Sequence, residues 1–153
     1  MEVGWNPAAL PNFPAMPRKK TTIGRLEHIA LPELGVQRVE AKIDTGAYRS
    51  ALHYQRVRVV ADDEGPLLEV SFHMGRRRVK RHFREFKLVE VKSSNGQVSE
   101  RYLIRTAVVL NGRRVRTQFT LFDRSDMKFQ VLLGRKFLRG RFVVDVDRVN
   151  VLG

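Results

Sequence analysis

A mostly β fold is predicted for this chain of 153 residues, and two observations predict it. Short runs rich in valine, isoleucine, phenylalanine and threonine recur from about Thr21 onward, with turn residues between them, as is typical of strands. Two Asn-Gly pairs, Asn95-Gly96 and Asn111-Gly112, separate such runs; a two-residue primed turn needs positive φ at both central positions, which these residues tolerate. We therefore expect a mostly antiparallel sheet.

The elements follow in chain order. The first strand of interest is VEAKI, with Val39, Ala41 and Ile43 on one face. Three hairpins are then predicted: RVRVV and LLEVSFHM across DDEG, KLVEVKS and QVSERYLIRTAVVL across SNG, and that last run with RRVRTQFTLF across NG. Near the end, the strand Val131–Leu133 leads through Gly134 into one short helix, which Gly140 ends as a C-cap.

Length and composition limit the alternatives. A chain of 153 residues suits one domain, and 42% apolar with 29% charged residues is ordinary globular composition. The first 20 residues hold four of the six prolines, so residues 1–21 are predicted to be a flexible Pro-rich arm and 22–153 the domain. Without cysteine there are no disulfides and no cysteine nucleophile; with no apolar run of membrane-spanning length and no signal peptide pattern, we expect a cytoplasmic protein.

One short segment, KIDTGA (42–47), could carry chemistry. The strand delivers Asp44 to its end, where the chain turns over Thr45 and Gly46, and the glycine permits close approach by another group. Alone the triplet is more often a simple turn. The second motif, VLLGRKFL (131–138), runs from an apolar strand through Gly134 into the helix and changes that interpretation.

Together these motifs resemble one lobe of the retropepsin-like aspartic peptidases. The order is KIDTGA, then a hairpin with SSNG (93–96) near its tip, then VLLGRKFL. IGRLEHIALPELG, AKIDTGAYRSALH, SERYLIRT and LFDRSDMKFQVLLGRKFL further resemble bacterial proteins labelled ATP-dependent zinc proteases, and the likeness covers about residues 22–149. The resemblance implies a closed, retropepsin-like β-barrel with one short helix.

The resemblance also implies an aspartic peptidase site. Such a site needs two carboxylates that share one proton, and this chain has one Asp-Thr-Gly triplet, so a homodimer is expected, with Asp44 from each copy. Thr45 would brace the two loops, and Gly46 would let the peptide backbone approach. Ala47, Leu133 and Gly134 would contact the peptide, and Gly134 would also leave room for the Asp44 loop. The hairpin tip, made of Ser93, Ser94, Asn95 and Gly96, would act as a flap over the peptide.

The chain departs from the pattern at one place. Retroviral relatives pair the arginine after Leu-Gly with an acidic residue two places beyond the triplet, and here that place is Tyr48. Arg135 is therefore expected to find another partner, with Asp123 and Asp126 as candidates.

No cofactor is predicted. The four histidines, His28, His53, His73 and His82, show no zinc-ligand spacing, and the chain has neither a P-loop nor a nucleophile elbow. Each histidine is interpreted as an ordinary core or surface residue, although His53 follows the aspartate motif closely.

The charge points to the partners. With 29 Lys and Arg against 16 Asp and Glu, the formal net charge is +13, which favours acidic peptide or protein substrates. The alternative is a non-catalytic basic β module that binds RNA, ribosomes or acidic proteins. It would use the run Arg76, Arg77, Arg78, Lys80, Arg81 and Arg84, but Phe83 and Phe86 are its only nearby aromatic residues.

Overall fold

The fold is mostly β, as predicted. The computed structural model describes residues 19–92, 95–123 and 128–152. Within this part of the chain the strands are β1 (Thr21–Gly24), β2 (Leu26–Leu31), β3 (Val36–Ile43), β4 (Ser50–His53), β5 (Arg56–Asp62), β6 (Gly65–Met74), β7 (Arg77–Phe83), β8 (Lys87–Lys92), β9 (Val98–Leu110), β10 (Arg113–Phe122), β11 (Val131–Leu133) and β12 (Phe142–Asp145). A 3-10 helix (Pro32–Leu34) joins β2 to β3, and α1 (Arg135–Leu138) follows β11.

The three predicted hairpins are confirmed. Strand β5 pairs antiparallel with β6, β8 with β9, and β9 with β10. At Asn111-Gly112 both residues have positive φ, 54° and 70°, as a primed turn requires. The β8–β9 connection is longer than a two-residue turn, because the ladder closes at Lys92 opposite Val98.

Strand pairings close the main sheet into a ring. The order β10-β4-β11-β3-β2-β9 returns to β10, and β8 extends it beside β9. Three pairs are parallel, β1 with β12, β4 with β10, and β3 with β11, which sequence inspection did not predict because their partners lie far apart in the chain. The β3–β11 pair matters most, since it brings the two motifs side by side.

Apolar side chains from every part of the ring fill its interior. Val39, Ala41 and Ile43 are all buried, as the alternation in β3 predicts. The largest fully buried side chains include Phe72, Phe119, Phe137, Leu52, Ile104 and Leu121. The core thus holds β3 and β11 rigidly up to the point where Asp44 begins.

The remaining strands form two smaller sheets. Strands β5, β6 and β7 make an antiparallel sheet whose inner face, with Leu68, Val70, Phe72 and Met74, is buried. Strand β1 pairs with β12 from Thr21 onward, so the predicted boundary of the arm falls at the first residue of this strand. Residues 1–18 of that arm lie outside the described residues.

A buried carboxylate fastens the corner between β1, β2 and the C-terminal turn. Glu27, 1% exposed, accepts hydrogen bonds from the N–H groups of Gly24 (2.7 Å), Val151 (3.0 Å) and Leu152 (3.3 Å). These donors replace the water that the charge loses on burial. The carboxylate thus holds residues near the two ends of the domain together.

Candidate active site

Asp44 lies directly after β3, where the predicted turn begins. Its N–H donates to the carbonyl of Leu133 (2.8 Å), which extends the β3–β11 ladder by one residue. Its carbonyl accepts from Ala47 N–H (3.2 Å), and its Oδ1 accepts from Gly46 N–H (3.1 Å). Asp44 is partly exposed, and within the described residues Gly46 N–H is the one donor to its carboxylate.

The start of α1 holds the loop after Asp44. Arg135 N–H donates to the carbonyl of Ala47 (2.8 Å), and Lys136 N–H to that of Tyr48 (2.9 Å). Gly134 N–H donates to the hydroxyl of Ser50 (3.1 Å). The first N–H groups of a helix have no partner within it, and here the loop supplies one.

Gly134 allows this close approach. A Cβ there would lie 2.6 Å from the carbonyl oxygen of Arg49 and 2.9 Å from that of Ala47. Both contacts are to backbone, so a larger residue would push the loop away. The space beside Asp44 thus depends on a glycine at the second motif.

Arg135 has found a partner that the sequence analysis did not anticipate. Its guanidinium donates to the carbonyl of Thr45 (3.1 Å) and lies over the ring of Tyr48, 5.9 Å from the centroid. Among described residues it has no ion pair with Asp123, and Asp126 lies outside them. Tyr48 therefore still contacts this arginine, through its π face instead of a carboxylate.

The predicted peptide-contacting residues are not equally accessible. Leu133 is fully buried in the core, and its predicted contact with a peptide stays a prediction. Leu132, next to it, is partly exposed and aligns with Lys42 of β3 and Ala51 of β4. Strand alternation places Leu132 and Lys42 on the face opposite the core.

The predicted flap is the β8–β9 hairpin. Asn95 and Gly96 are exposed near its tip, where Asn95 Oδ1 accepts from Gln97 N–H (3.2 Å), and Gly96 has φ of 85°. Ser93 and Ser94 lie outside the described residues. Movement of this hairpin over a peptide stays a prediction.

Two concave regions adjoin these elements. One, of 580 Å³, lies between the start of β9 and the end of β10, with Tyr54, Tyr102 and Asp123 in its wall. Burial and the negative charge of Asp123 raise the pKa of Tyr54 above its ordinary value. The other, of 540 Å³, is bordered by Thr45, Tyr48 and Arg135 and by Phe142 and Val144 from β12. Neither was predicted, because each draws its lining from distant parts of the chain.

Metal-binding geometry is not found in the described part of the chain. No group of three His, Asp or Glu side chains converges there. His53 packs on Phe122, with 5.6 Å between ring centroids, and its Nδ1 is buried without a hydrogen bond. The described residues therefore do not fit a zinc site.

The chain is similar to proteins of a known family and to a solved structure. A family model described as RimB-like, "Retropepsin-like aspartic endopeptidase RimB", matches residues 22–152. A crystal structure of a Legionella pneumophila protein of unknown function superposes with a TM-score of 0.74 at 19% identity, over 88% of this chain and all of that one. At that identity the superposition supports the fold alone.

Curated relatives carry a different name. Proteins called "Probable alpha-L-glutamate ligase" are 32% identical over 142 residues in Shewanella halifaxensis and 31% identical over 139 residues in Parasynechococcus marenigrum. The matches cover 90% and 88% of this chain but only 31% and 30% of those proteins. The chain thus spans about a third of the length of these relatives.

No helix within the described residues is long and apolar enough to cross a membrane.

Proposed function

Because the chain belongs to the RimB-like family of retropepsin-like aspartic endopeptidases, we propose that it hydrolyses peptide bonds with Asp44 as one carboxylate of a catalytic pair. The observation that carries this proposal is the placement of Asp44. A rigid β3–β11 ladder ends at a carboxylate that has one local N–H donor and is partly exposed. Its loop is held in place by α1 and Gly134.

The chemistry needs a second carboxylate close to the first. One, ionised, takes a proton from water, and the oxygen of that water attacks the scissile carbonyl carbon. The other, protonated, hydrogen-bonds the carbonyl oxygen as negative charge develops there; collapse of the tetrahedral intermediate breaks the C–N bond, and the amine leaves with a proton. Like charges about 3 Å apart favour sharing one proton in this way.

A second copy of the chain is the proposed source of that carboxylate. The sequence has a single Asp-Thr-Gly triplet, and a two-fold axis beside it would bring the two Asp44 side chains together. Thr45 is exposed, and within the described residues its hydroxyl makes no hydrogen bond, so it is available to brace the two loops. Gly46 and Ala47 would then face the peptide backbone, under the β8–β9 flap.

Glutamate-rich peptides are the proposed substrates, in a cytoplasmic setting. The net charge of +13 attracts polyanions, and exposed Lys42 stands two residues before Asp44 on the face that carries Leu132. The glutamate ligase name of the relatives concerns chemistry on the same amino acid. Hydrolysis of glutamate-rich chains fits both the positive charge of this chain and the name of those relatives.

Cleavage of a glutamate-rich peptide library from acid to neutral pH tests the proposal. We expect Asp44→Asn to lower the rate by about 100-fold or more, in line with the loss of a general acid or base. Asp145→Asn is the matched control, because that aspartate also ends a strand but lacks a Thr-Gly turn, and its rate should equal that of the wild type. Equal loss in both variants, or loss in neither, contradicts the assignment.

A mixing experiment tests the shared site. Excess Asp44→Asn protein added to wild type should reduce the wild-type rate, since mixed dimers hold one intact aspartate. Asp145→Asn added in the same excess should leave the rate unchanged. An unchanged rate with the Asp44 variant, despite exchange of subunits seen by sedimentation of labelled protein, would contradict pairing across a dimer.

A further inference from the structure

A further concave region, lined by several basic residues, lies outside the Asp44 loop. A groove of 380 Å³ runs between the β5–β7 sheet and strands β9 and β10, and continues into a second space of 310 Å³ through the shared residues Glu85 and Arg105. We call it the arginine groove and define it by Arg81, Phe83, Arg84, Phe86, Arg105 and Arg116. Glu33, which lines the groove, precedes β3, whereas Asp44 follows the other end of this strand.

Strand alternation builds this groove by dividing the basic run in β7. Arg81 shares the face of buried Val79, which turns it toward the 3-10 helix, where its Nε–H donates to the carbonyl of Glu33 (3.0 Å). By the same alternation, Arg78, Lys80 and His82 take the opposite, outer face, where His82 also borders the groove. The sequence run therefore supplies two different surfaces.

Both surfaces hold paired and unpaired charge. On the outer face, the carboxylate of Glu69 lies 2.8 Å from Arg58, 3.0 Å from His82 and 4.0 Å from Lys80. Exposed Arg56 and Arg78 on the same face have no ion pair within the described residues, so unpaired charge alone does not set the groove apart.

In the groove, Arg116 pairs with Glu33, and Arg84 with Asp62. Within the described residues, the side chain of Arg81 bonds to the backbone carbonyls of Glu33 and Lys80, and exposed Arg105 has no ion pair. Neither guanidinium is thus in an ion pair with a described residue, although Glu33 and Glu85 also line the groove.

Two aromatic rings line the same groove. Phe83 and Phe86 are partly buried, and each packs edge-on against another ring, Phe83 on Phe72 at 86° and Phe86 on Tyr102 at 64°. A positively charged groove with partly exposed rings is the arrangement by which proteins hold single strands, with arginines on phosphates and bases stacked on the rings.

We propose that the arginine groove binds single-stranded nucleic acid. Guanidinium groups bind phosphates and carboxylates alike. The two rings would make no specific contact with an acidic peptide, whereas every nucleic-acid base has a face that can stack on them. The residues that define the groove are separate from the Asp44 loop, so binding of nucleic acid there would not require peptide hydrolysis.

Fluorescence anisotropy with labelled oligouridylate and oligothymidylate tests this proposal on the full chain. We expect the Arg81→Ala, Arg105→Ala double variant to weaken binding by about 10-fold or more and to reduce the salt slope by about 1.4, as for two lost phosphate contacts. Phe86→Leu, which keeps an apolar side chain against Tyr102, should weaken it by about 5-fold. The matched control is Arg56→Ala, Arg78→Ala, which removes the same charge from the outer sheet.

The outcomes separate the alternatives. Preferential loss in the groove variants supports the proposal, and the relative affinities of the two oligonucleotides identify RNA or DNA as the ligand. Equal loss in the control variant means nonspecific attraction by net charge and overturns it, as does absence of binding. Binding of poly-L-glutamate that depends on Arg81 and Arg105 but not on Phe86, with no such pattern for the oligonucleotides, assigns the groove to acidic peptides instead. Asp44→Asn should bind oligonucleotide like the wild type.

Discussion

Two carboxylates flank β3, and they differ in the number of hydrogen bonds that they accept. Glu33, before the strand, accepts hydrogen bonds from the hydroxyl of Thr106 (2.9 Å) and the N–H of Ala107 (3.1 Å) and pairs with Arg116. Within the described residues, the carboxylate of Asp44, after the strand, accepts one hydrogen bond, from the N–H of Gly46 in its own turn. Carboxylates that have many donors hold the chain, whereas one that has few remains able to bind water or a proton.

Glu27 extends the comparison to its limit. It is almost fully buried and serves three N–H groups, two of them more than 120 residues away in sequence. Its contribution to function, like that of Glu33, is indirect: it fixes the frame that carries Asp44. Substitution of Glu27 or Glu33 should accordingly lower mainly the stability, whereas substitution of Asp44 should lower mainly the activity.

The largest stability effect is expected for Glu27→Ala. The substitution leaves the N–H groups of Gly24, Val151 and Leu152 without their acceptor. At about 1 kcal/mol or more for each, the free energy of unfolding should fall by about 3 kcal/mol, or roughly 6–12 °C in Tm for a domain of this size. Thermal unfolding measures it, with exposed Glu100→Ala as control; equal Tm values for the two variants would contradict the role of Glu27.

Gly134→Ala should have the next largest effect. Its Cβ meets backbone atoms of Arg49 and Ala47, so the loop must move or the core must yield, at a cost of about 1–3 kcal/mol. Because the same loop carries Asp44, peptidase activity should fall as well. Gly46→Ala is the stability control, since the Cβ there meets only the Asp44 carboxylate at 3.4 Å. Unchanged stability in Gly134→Ala would mean that the loop tolerates displacement.

A structural feature of this domain can be predicted from the sequence when the residues that form it are close together in the chain. The hairpins, the β3 face, α1 and the Asp44 turn all follow from neighbouring residues, and each is confirmed. The pairings of Glu27 with Leu152 and of Glu33 with Arg116 span most of the chain, and no local pattern marks either carboxylate. The contact of Arg135 with the carbonyl of Thr45 was not predicted for the same reason, since it depends on how β11 enters the ring.

Glu33 should also produce a pH dependence. Burial alone would raise its pKa, but the hydrogen bonds from Thr106 and Ala107 and the charge of Arg116 together lower the pKa below 4.5. Its contribution is therefore complete above pH 4.5 and is lost as the pH falls through the lower folded-state pKa. Because the side chain is partly exposed, we expect Glu33→Gln to cost only about 1 kcal/mol at neutral pH.

The measurement is the free energy of unfolding against pH, from urea titrations. Glu33→Gln should show a smaller loss of stability on acidification than the wild type. Exposed Glu85→Gln controls for the removal of one negative charge from a basic chain. A wild-type slope that persists in the Glu33 variant would assign the acid sensitivity to other carboxylates.

The smallest stability effect is expected where the effect on catalysis should be greatest. Asparagine at position 44 keeps an oxygen that can accept the Gly46 N–H, and the backbone bonds of Asp44 to Leu133 and Ala47 do not involve its side chain. Asp44→Asn should thus change the free energy of unfolding by about 0.5 kcal/mol or less, as surface substitutions do, while it removes the acid–base group. Chemical unfolding of the variant measures this, with Glu27→Ala in parallel. A loss at Asp44 comparable to that at Glu27 would mean that Asp44 too is a structural carboxylate, and that the aspartate at the end of β3 belongs with Glu27 and Glu33.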